Sequence, residues 1–174
     1  TGVYVQTHCA ESDWVHEHVQ ARLGRSGVQA LAEWGLLTPH TLLAHANILD
    51  DAASMLVREH GSTLVHCPVS NVFFANSVLP VAEHLRQGTQ LALGSDVAGG
   101  FSPSLFDAMR QAIMSSRMLE DGVDPRLAAA SRGRPHSRIG FREAFWLATT
   151  GGAQALGVPL GYFDVGRQWD AIVI

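Results

Sequence analysis

Four residues that can bind a metal or move a proton each follow a short, largely apolar run, and a carboxylate follows the first of them by three positions. Histidine nitrogens and carboxylate oxygens are ligands that zinc uses at catalytic sites, where one coordination position stays open for water. A bound metal lowers the pKa of that water, which becomes a nucleophile near neutral pH. The sequence therefore indicates a metal-dependent hydrolytic site, with the candidate residues His8, Glu11, His45, His66 and Asp96.

The apolar runs before these residues are typical of strands in a parallel β-sheet. Such strands read as continuous apolar stretches because both faces of the sheet are covered. In these folds, chemistry collects where strands end and βα-loops begin, so we expect the candidate residues to converge at one edge of the sheet. The runs are Val3–Thr7, Leu42–Ala44, Thr63–Val65 and Leu91–Ser95.

Helical patterns alternate with the predicted strands. Ser12 is placed to cap the first helix, and either Asp50 or Asp51 opens the third, which Gly61 ends. The alternation predicts an α/β fold, with four consecutive strands of a parallel barrel joined by right-handed crossovers. The predicted helices lie near Asp13–Arg22, Val28–Trp34, Asp51–His60, Pro80–Arg86, Ser104–Leu119 and Arg142–Thr149, and the predicted loops cover residues 67–71 and 120–140.

Length and composition narrow the class of protein. The 174 residues are 47% apolar, which fits a globular domain. A complete eight-stranded barrel needs about 250 residues. Because the chain starts and ends in strand-like runs, the last being Ala171–Ile174, we expect a segment of a longer protein. All 12 basic residues are arginine, which excludes lysine Schiff-base chemistry from this segment.

Charge, apolar run length and cysteine content set expectations about partners and location. The net charge of −4 gives no general attraction to nucleic acid. No apolar run approaches the roughly 18 residues of a membrane span, so we expect no membrane partner. The two cysteines, Cys9 and Cys67, form neither a disulfide framework nor a cysteine-rich zinc site. They favour a reducing, cytoplasmic location, and we expect both to be small buried residues.

Each candidate residue also has a structural interpretation. A single histidine at a strand end is more often structural, Glu11 can complement a helix dipole, and Asp96 can be a turn residue. The functional interpretation depends on all of them falling at predicted strand ends. We expect the four tryptophans to pack in the core, and the remaining histidines to lie on the surface: His16, His18, His40, His60, His84 and His136.

Four motifs resemble those of the amidohydrolase superfamily, in its single-metal deaminase branch. They are His8-x-x-Glu11, Ala44-His45, His66-Cys67-Pro68-x-Ser70-Asn71 and Gly94-Ser95-Asp96. Within that branch, the runs Gln6–His8 and Asp96–Gly100 are most similar to the members that deaminate guanine. The resemblance implies that residues 1–156 form strands 5–8 and the helices of a (β/α)8 TIM barrel. Residues 157–174 would begin the return to a small β-sandwich.

The resemblance implies a metal centre. His8 and Asp96 would bind zinc, with ferrous iron as the alternative metal, and Asp96 would accept the proton of the attacking water. His45 would lie at the metal and contact that water, so it counts both as a metal-site residue and as a catalytic residue.

The resemblance also implies the residues around the substrate. Glu11 would protonate a ring nitrogen and help the amine to leave, while His66 and Asn71 would lie behind the metal and the substrate. The substrate would be a purine base, with guanine converted to xanthine and ammonia. The full-length protein would be a homodimer.

One family feature is absent, because the superfamily carries a His-x-His pair of zinc ligands on its first strand. The only such spacing here is His16–His18, which falls in a predicted helix. At that spacing two side chains face away from each other, so we reject them as replacements and expect the chain alone to be inactive. Two alternatives stay open: an aminohydrolase or chlorohydrolase for another amino-heterocycle, such as a triazine or adenosine derivative, and a non-catalytic fragment.

Overall fold

Four parallel strands form the centre of the fold in a computed structural model that describes residues 2–172. The strands are β1 (Val5–Cys9), β2 (Thr41–His45), β3 (Thr63–His66) and β4 (Gln90–Leu93), and they pair in chain order. The pairing aligns His8 with Ala44, and His66 with Leu93. The predicted α/β class and its parallel sheet are confirmed.

Helices connect the strands, and the first three begin at the polar caps that their sequences provide. Ser12 accepts a hydrogen bond from the backbone N–H of Val15, and Asp50 accepts one from Ala53 at 2.7 Å. Ser26 and Gln29 form a reciprocal capping box. These caps satisfy N–H groups that have no partner inside the helix. The helices are α1 (Asp13–Leu23), α2 (Gly27–Glu33), α3 (Asp51–Glu59), α4 (Pro68–Phe73), α5 (Val81–Arg86), α6 (Leu105–Asp121), α7 (Ala129–Arg132), α8 (Phe141–Trp146) and α9 (Gly152–Ala155).

Three predicted boundaries were wrong. Residues 67–71 were expected to be a loop, but α4 starts at Pro68, where proline is favoured because the first helical N–H needs no partner. The short helix α7 interrupts the predicted loop over 120–140. The last helix does not stop before Gly151, since a π-helical turn over Leu147–Gly151 joins α8 to α9.

The core lies between the sheet and the helices that cover it. Leu43, Leu64 and Leu91 are almost fully buried in neighbouring strands, and Val57 and Leu147 are fully buried on the helices. Large apolar side chains at these positions provide most of the stabilisation, at about 25 cal/mol per Å² buried. The core therefore holds the sheet whose edge carries the candidate residues.

Two expectations about burial were wrong. Trp14, Trp34 and Trp169 are 70%, 61% and 82% exposed, and only Trp146 packs against the core. The first two lie on or beside helices that turn these positions away from the sheet. His84 was expected on the surface but is buried in α5. Cys9 and Cys67 are buried, as expected.

The tail after α9 has no regular secondary structure over residues 157–172, and most of it is exposed. The strand expected over Ala171–Ile174 falls partly outside the described residues, which end at Ile172. No helix within residues 2–172 has both the length and the apolar character needed to span a membrane.

Adjacent glycines in the last helix provide a test of how closely it packs on the sheet. Both have helical backbone angles, but a Cβ on Gly151 would lie 2.5 Å from the carbonyl oxygen of Leu91 in β4. A Cβ on Gly152 would come no nearer than 3.8 Å to the carbonyl oxygen of Leu147. We expect Gly151→Ala to lower the free energy of unfolding by about 1–3 kcal/mol.

Gly152→Ala is the matched control. Alanine is favoured over glycine in a helix by about 0.5–1 kcal/mol, so this variant should be as stable as the original chain or slightly more stable. Urea denaturation of both variants measures the difference. Equal effects of the two substitutions would show that the helix does not approach Leu91 this closely.

Candidate metal centre

The candidate residues lie at the carboxyl ends of the strands. His8 is the penultimate residue of β1, His45 and His66 are the last residues of β2 and β3, and Asp96 follows β4 by three positions. The chain turns sharply at these ends, because Ala10, His45 and Asp96 have positive φ values of 44°, 66° and 49°. Non-glycine residues rarely adopt this conformation, which occurs preferentially at functional sites.

Three of these residues form one cluster of metal donors. A ligand atom from each of His8, His45 and Asp96 lies within 4.8 Å of the other two. Nε2 of His8 is 3.7 Å from Oδ1 of Asp96, and Nε2 of His45 is 3.7 Å from Oδ2 of the same carboxylate. Zinc binds nitrogen and oxygen at about 2.0–2.2 Å, so an ion fits between these donors.

Burial supports the metal interpretation for His45. Its side chain is 1% exposed, and its Nε2 has no hydrogen-bond partner among the described residues. Leaving a buried polar atom unsatisfied costs about 1–3 kcal/mol. A metal ion bound to Nε2 removes that cost, so the donor set fits the metal that the sequence indicates.

Glu11 faces the same opening as the cluster. Its Oε2 lies 4.0 Å from Nε2 of His45, and its Oε1 accepts a hydrogen bond from Nδ2 of Asn76 at 3.1 Å. The carboxylate is partly exposed, so it can exchange protons with a substrate in the opening. This position fits a general acid or base better than a purely structural helix charge.

A buried network of asparagine side chains contacts His45 at Nδ1, the ring nitrogen on the side away from Asp96. Nδ1 of His45 is 2.9 Å from Oδ1 of Asn71, and Asn71 forms two hydrogen bonds with the side chain of Asn47. Asn47 also donates to the backbone carbonyl oxygen of Glu11 at 2.9 Å. Sequence reasoning identified Asn71 but missed Asn47 and Asn76. The position of Asn47, two residues beyond a strand-end histidine, was the available signal.

His66 is close to the cluster without joining it. It is buried, and burial followed by the neighbouring His45 lowers the pKa of its imidazole to about 3. The ring is therefore neutral near pH 7. Burial also raises the pKa of the Cys9 thiol to about 11 and that of Cys67 to about 12. Neither sulfur belongs to the donor cluster found among residues 2–172, which consists of His8, His45 and Asp96.

Two glycines after β4 leave room for the Asp96 carboxylate and for the loop that carries it. A Cβ on Gly99 would lie 2.7 Å from Oδ2 of Asp96, and a Cβ on Gly100 would lie 2.3 Å from the carbonyl oxygen of Ser95. A side chain at either position would displace the loop. The pair His16–His18 lies in α1, as expected, and neither histidine belongs to the donor cluster found among residues 2–172.

The whole chain, residues 1–174, matches the sequence profile of the Amidohydrolase family. The chain belongs to this family. It is 35% identical over 174 residues to a probable guanine deaminase of Schizosaccharomyces pombe, an alignment that covers 98% of this chain and 31% of the relative. The chain spans about a third of the length of the curated relatives it matches. The predicted resemblance to amidohydrolases is confirmed.

Two solved structures of the family are similar to this fold. A guanine deaminase from C. acetobutylicum with bound guanine superposes with a TM-score of 0.81 at 27% identity, covering 95% of this chain and 38% of that one. An adenosine deaminase from Xanthomonas campestris with bound zinc gives a TM-score of 0.83 at 25% identity, covering 97% and 36%. The chain therefore shares its α/β fold, built on a parallel sheet, with these solved structures.

Metal titration tests the donor cluster. We expect His8→Ala and Asp96→Ala each to weaken zinc binding at least about ten-fold, since even residues that only orient ligands change affinity by about 10–100-fold. His18→Ala is the control, because His18 is exposed on α1 and stacks on Trp14. Isothermal titration calorimetry measures the affinities. Equal losses in all three variants would exclude this cluster as the binding site.

The buried His66 makes stability depend on pH. Its pKa is about 3 in the folded chain and 6.5 ordinarily, so the unfolded chain binds more protons between these values. The contribution of neutral His66 to the free energy of unfolding is therefore complete above pH 6.5. It is lost as the pH falls toward 3, by at most about 1.4 kcal/mol per pH unit. We expect His66→Gln, measured by urea unfolding in chelator, to have a shallower pH dependence. Identical slopes in the two proteins would contradict the burial of a neutral His66.

Proposed function

We propose that this chain supplies part of the active site of a guanine deaminase, which hydrolyses guanine to xanthine and ammonia. The observation that carries the proposal is the meeting of His8, His45 and Asp96 with the Glu11 carboxylate at one edge of the sheet. The guanine deaminases similar to this chain, one of them with guanine bound, support the choice of substrate.

The metal of this site is proposed to be zinc, held by His8, His45 and Asp96, with ferrous iron as the alternative. A metal in this position supplies positive charge that lowers the pKa of water and stabilises developing negative charge. The nitrogen and carboxylate donors suit zinc, and the similar adenosine deaminase of X. campestris contains zinc. Neither Cys9 nor Cys67 belongs to the donor cluster within residues 2–172.

Each side chain has a role that follows from its position. Asp96, whose carboxylate oxygens lie between the two histidines, accepts the proton of the attacking water. Glu11 passes a proton to a ring nitrogen of the base, because attack at a ring carbon disrupts aromaticity and needs concerted protonation. His45 is oriented by Asn71, and the neutral His66 provides a hydrogen-bonding group beside them.

Residues 1–156 are proposed to form strands 5–8 of a (β/α)8 barrel, with residues 157–174 beginning the return to a β-sandwich. The unbroken order of four parallel strands and the coverage of about a third of the relatives support this division. The missing His-x-His pair would come from outside the chain, so we expect the chain alone to be inactive. The full-length protein is proposed to be a cytoplasmic homodimer that acts on a free purine base.

Assays of the complete gene product test the function. We expect it to release xanthine and ammonia from guanine, and we expect Glu11→Gln to lower kcat by about 10²–10⁴-fold through loss of the proton donor. Glu17→Gln is the matched control, since Glu17 is an exposed carboxylate on α1.

The alternative substrate is an adenosine derivative, which the similarity to an adenosine deaminase favours. Turnover of such a nucleoside with no release of xanthine from guanine would replace the proposed substrate by this one. Absence of turnover of any amino-heterocycle by the zinc-loaded protein would leave a non-catalytic role.

A further inference from the structure

The side chain of Asn47 is buried next to the metal centre, where it contacts the backbone of Glu11 directly and His45 only through Asn71. It hydrogen-bonds to the carbonyl oxygen of Glu11 and to the side chain of Asn71, which contacts His45. We propose that Asn47 is a positioning residue that fixes, through Asn71, which nitrogen of His45 carries the proton. The catalytic meaning of this inference rests on the proposed function, but the proton position is a property of the protein itself.

The donors and acceptors of this hydrogen-bond network are fixed, because the backbone carbonyl oxygen of Glu11 can only accept a hydrogen bond. A backbone carbonyl oxygen has no proton, so the Asn47 atom 2.9 Å from the oxygen of Glu11 must be the donor Nδ2. The orientation of the Asn47 amide, which is otherwise ambiguous, is thereby determined. Its Oδ1 is then the atom that accepts a hydrogen bond from Nδ2 of Asn71.

The second step transmits this orientation to Asn71. Nδ2 of Asn71 donates to Oδ1 of Asn47 at 2.9 Å, and Nδ2 of Asn47 donates back to Oδ1 of Asn71 at 3.1 Å. Reversing either amide alone would place Nδ2 of one asparagine against Nδ2 of the other, and Oδ1 of one against Oδ1 of the other. Asn47 and Asn71 are both buried, so water cannot relieve such a mismatch, and each unsatisfied group would cost about 1–3 kcal/mol.

The last step reaches the metal ligand. Oδ1 of Asn71 lies 2.9 Å from Nδ1 of His45, and an amide oxygen only accepts, so Nδ1 must carry a proton. In the neutral ring, Nε2 then has the free lone pair. Nε2 is the nitrogen that faces Asp96 and has no hydrogen-bond partner within the described part of the chain. Asn47 therefore presents a lone pair where a metal needs it.

Asn47 also connects the backbone of Glu11 with His45, the latter through Asn71. The same Nδ2 that orients Asn71 holds the backbone of Glu11, whose Oε2 lies 4.0 Å from Nε2 of His45. A change at Asn47 therefore affects the ligand nitrogen and the position of the Glu11 loop together. Its role differs from that of Asn76, whose side chain donates to the Glu11 carboxylate and whose backbone N–H donates to the backbone carbonyl oxygen of Asn71.

Nitrogen NMR of the metal-free complete gene product, with ¹⁵N-labelled histidines, tests the proposal. The signal of His45 is assigned by its loss in His45→Gln, and the two ring nitrogens show which one is protonated. We expect the Nδ1–H form in the original protein. A dominant Nε2–H form would overturn the proposal, whether or not any variant folds.

Two amide-to-acid variants separate an effect on the proton from structural damage. Asn47→Asp removes the donor that orients Asn71, so the Asn71 amide can adopt either orientation and His45 becomes a mixture of the Nδ1–H and Nε2–H forms, with zinc affinity falling about 10–100-fold. Asn71→Asp places a carboxylate oxygen against Nδ1, so the Nδ1–H form persists. Should Asn47→Asp fail to fold, Asn47→Ala takes its place and should give a mixture of the two forms.

The outcomes distinguish this inference from the proposed function. An equal change of the His45 signal in the Asn47→Asp and Asn71→Asp proteins would show a structural role only and overturn the inference. Failure of the original protein to deaminate guanine, with the Nδ1–H form dominant there and reduced in Asn47→Asp, would refute the substrate and leave the inference supported.

Discussion

The parallel pairing of four strands in chain order is the constraint on which the site depends. Because β1 to β4 run in one direction, their carboxyl ends meet at a single edge of the sheet. The register pairs His8 with Ala44 and Cys9 with His45, and the chain turns at His45, whose φ is 66°. The imidazole rings of His8 and His45 lie with their centres 5.1 Å apart. A one-residue slip would turn a strand's side chains to the opposite face and would separate these donors.

The strands and their terminal residues could be predicted because they depend on local patterns. Largely apolar runs of three to five residues identify buried strands, and His45, His66 and Asp96 follow such runs directly. The short helix α4 was missed because its first residues, Pro68 and Val69, look like a loop after a strand. The exposure of Trp14 and Trp34 was also missed, since it depends on which way each helix faces, and Trp169 lies in the tail without regular secondary structure.

The polar network behind the metal centre could not be predicted, because its contacts join distant parts of the chain. Asn47 and Asn71 are 24 residues apart, and Asn76 lies 65 residues from the Glu11 that it contacts. Asn71 was identified from its motif, and Asn47 follows a strand-end histidine by two positions, but neither position reveals that the two asparagines pair. Their importance comes from burial, because a reciprocal amide pair inside a protein leaves little freedom for the histidine that it contacts.

X-ray absorption spectroscopy of the zinc-loaded chain tests most directly the claim that His8, His45 and Asp96 form the metal site. The structure predicts a first shell of nitrogen and oxygen atoms at about 2.0–2.2 Å, with the outer scattering of imidazole rings. In the described part of the chain, neither Cys9 nor Cys67 belongs to this donor cluster. A sulfur neighbour at about 2.3 Å would therefore contradict the claim, because it would show that zinc binds a cysteine instead.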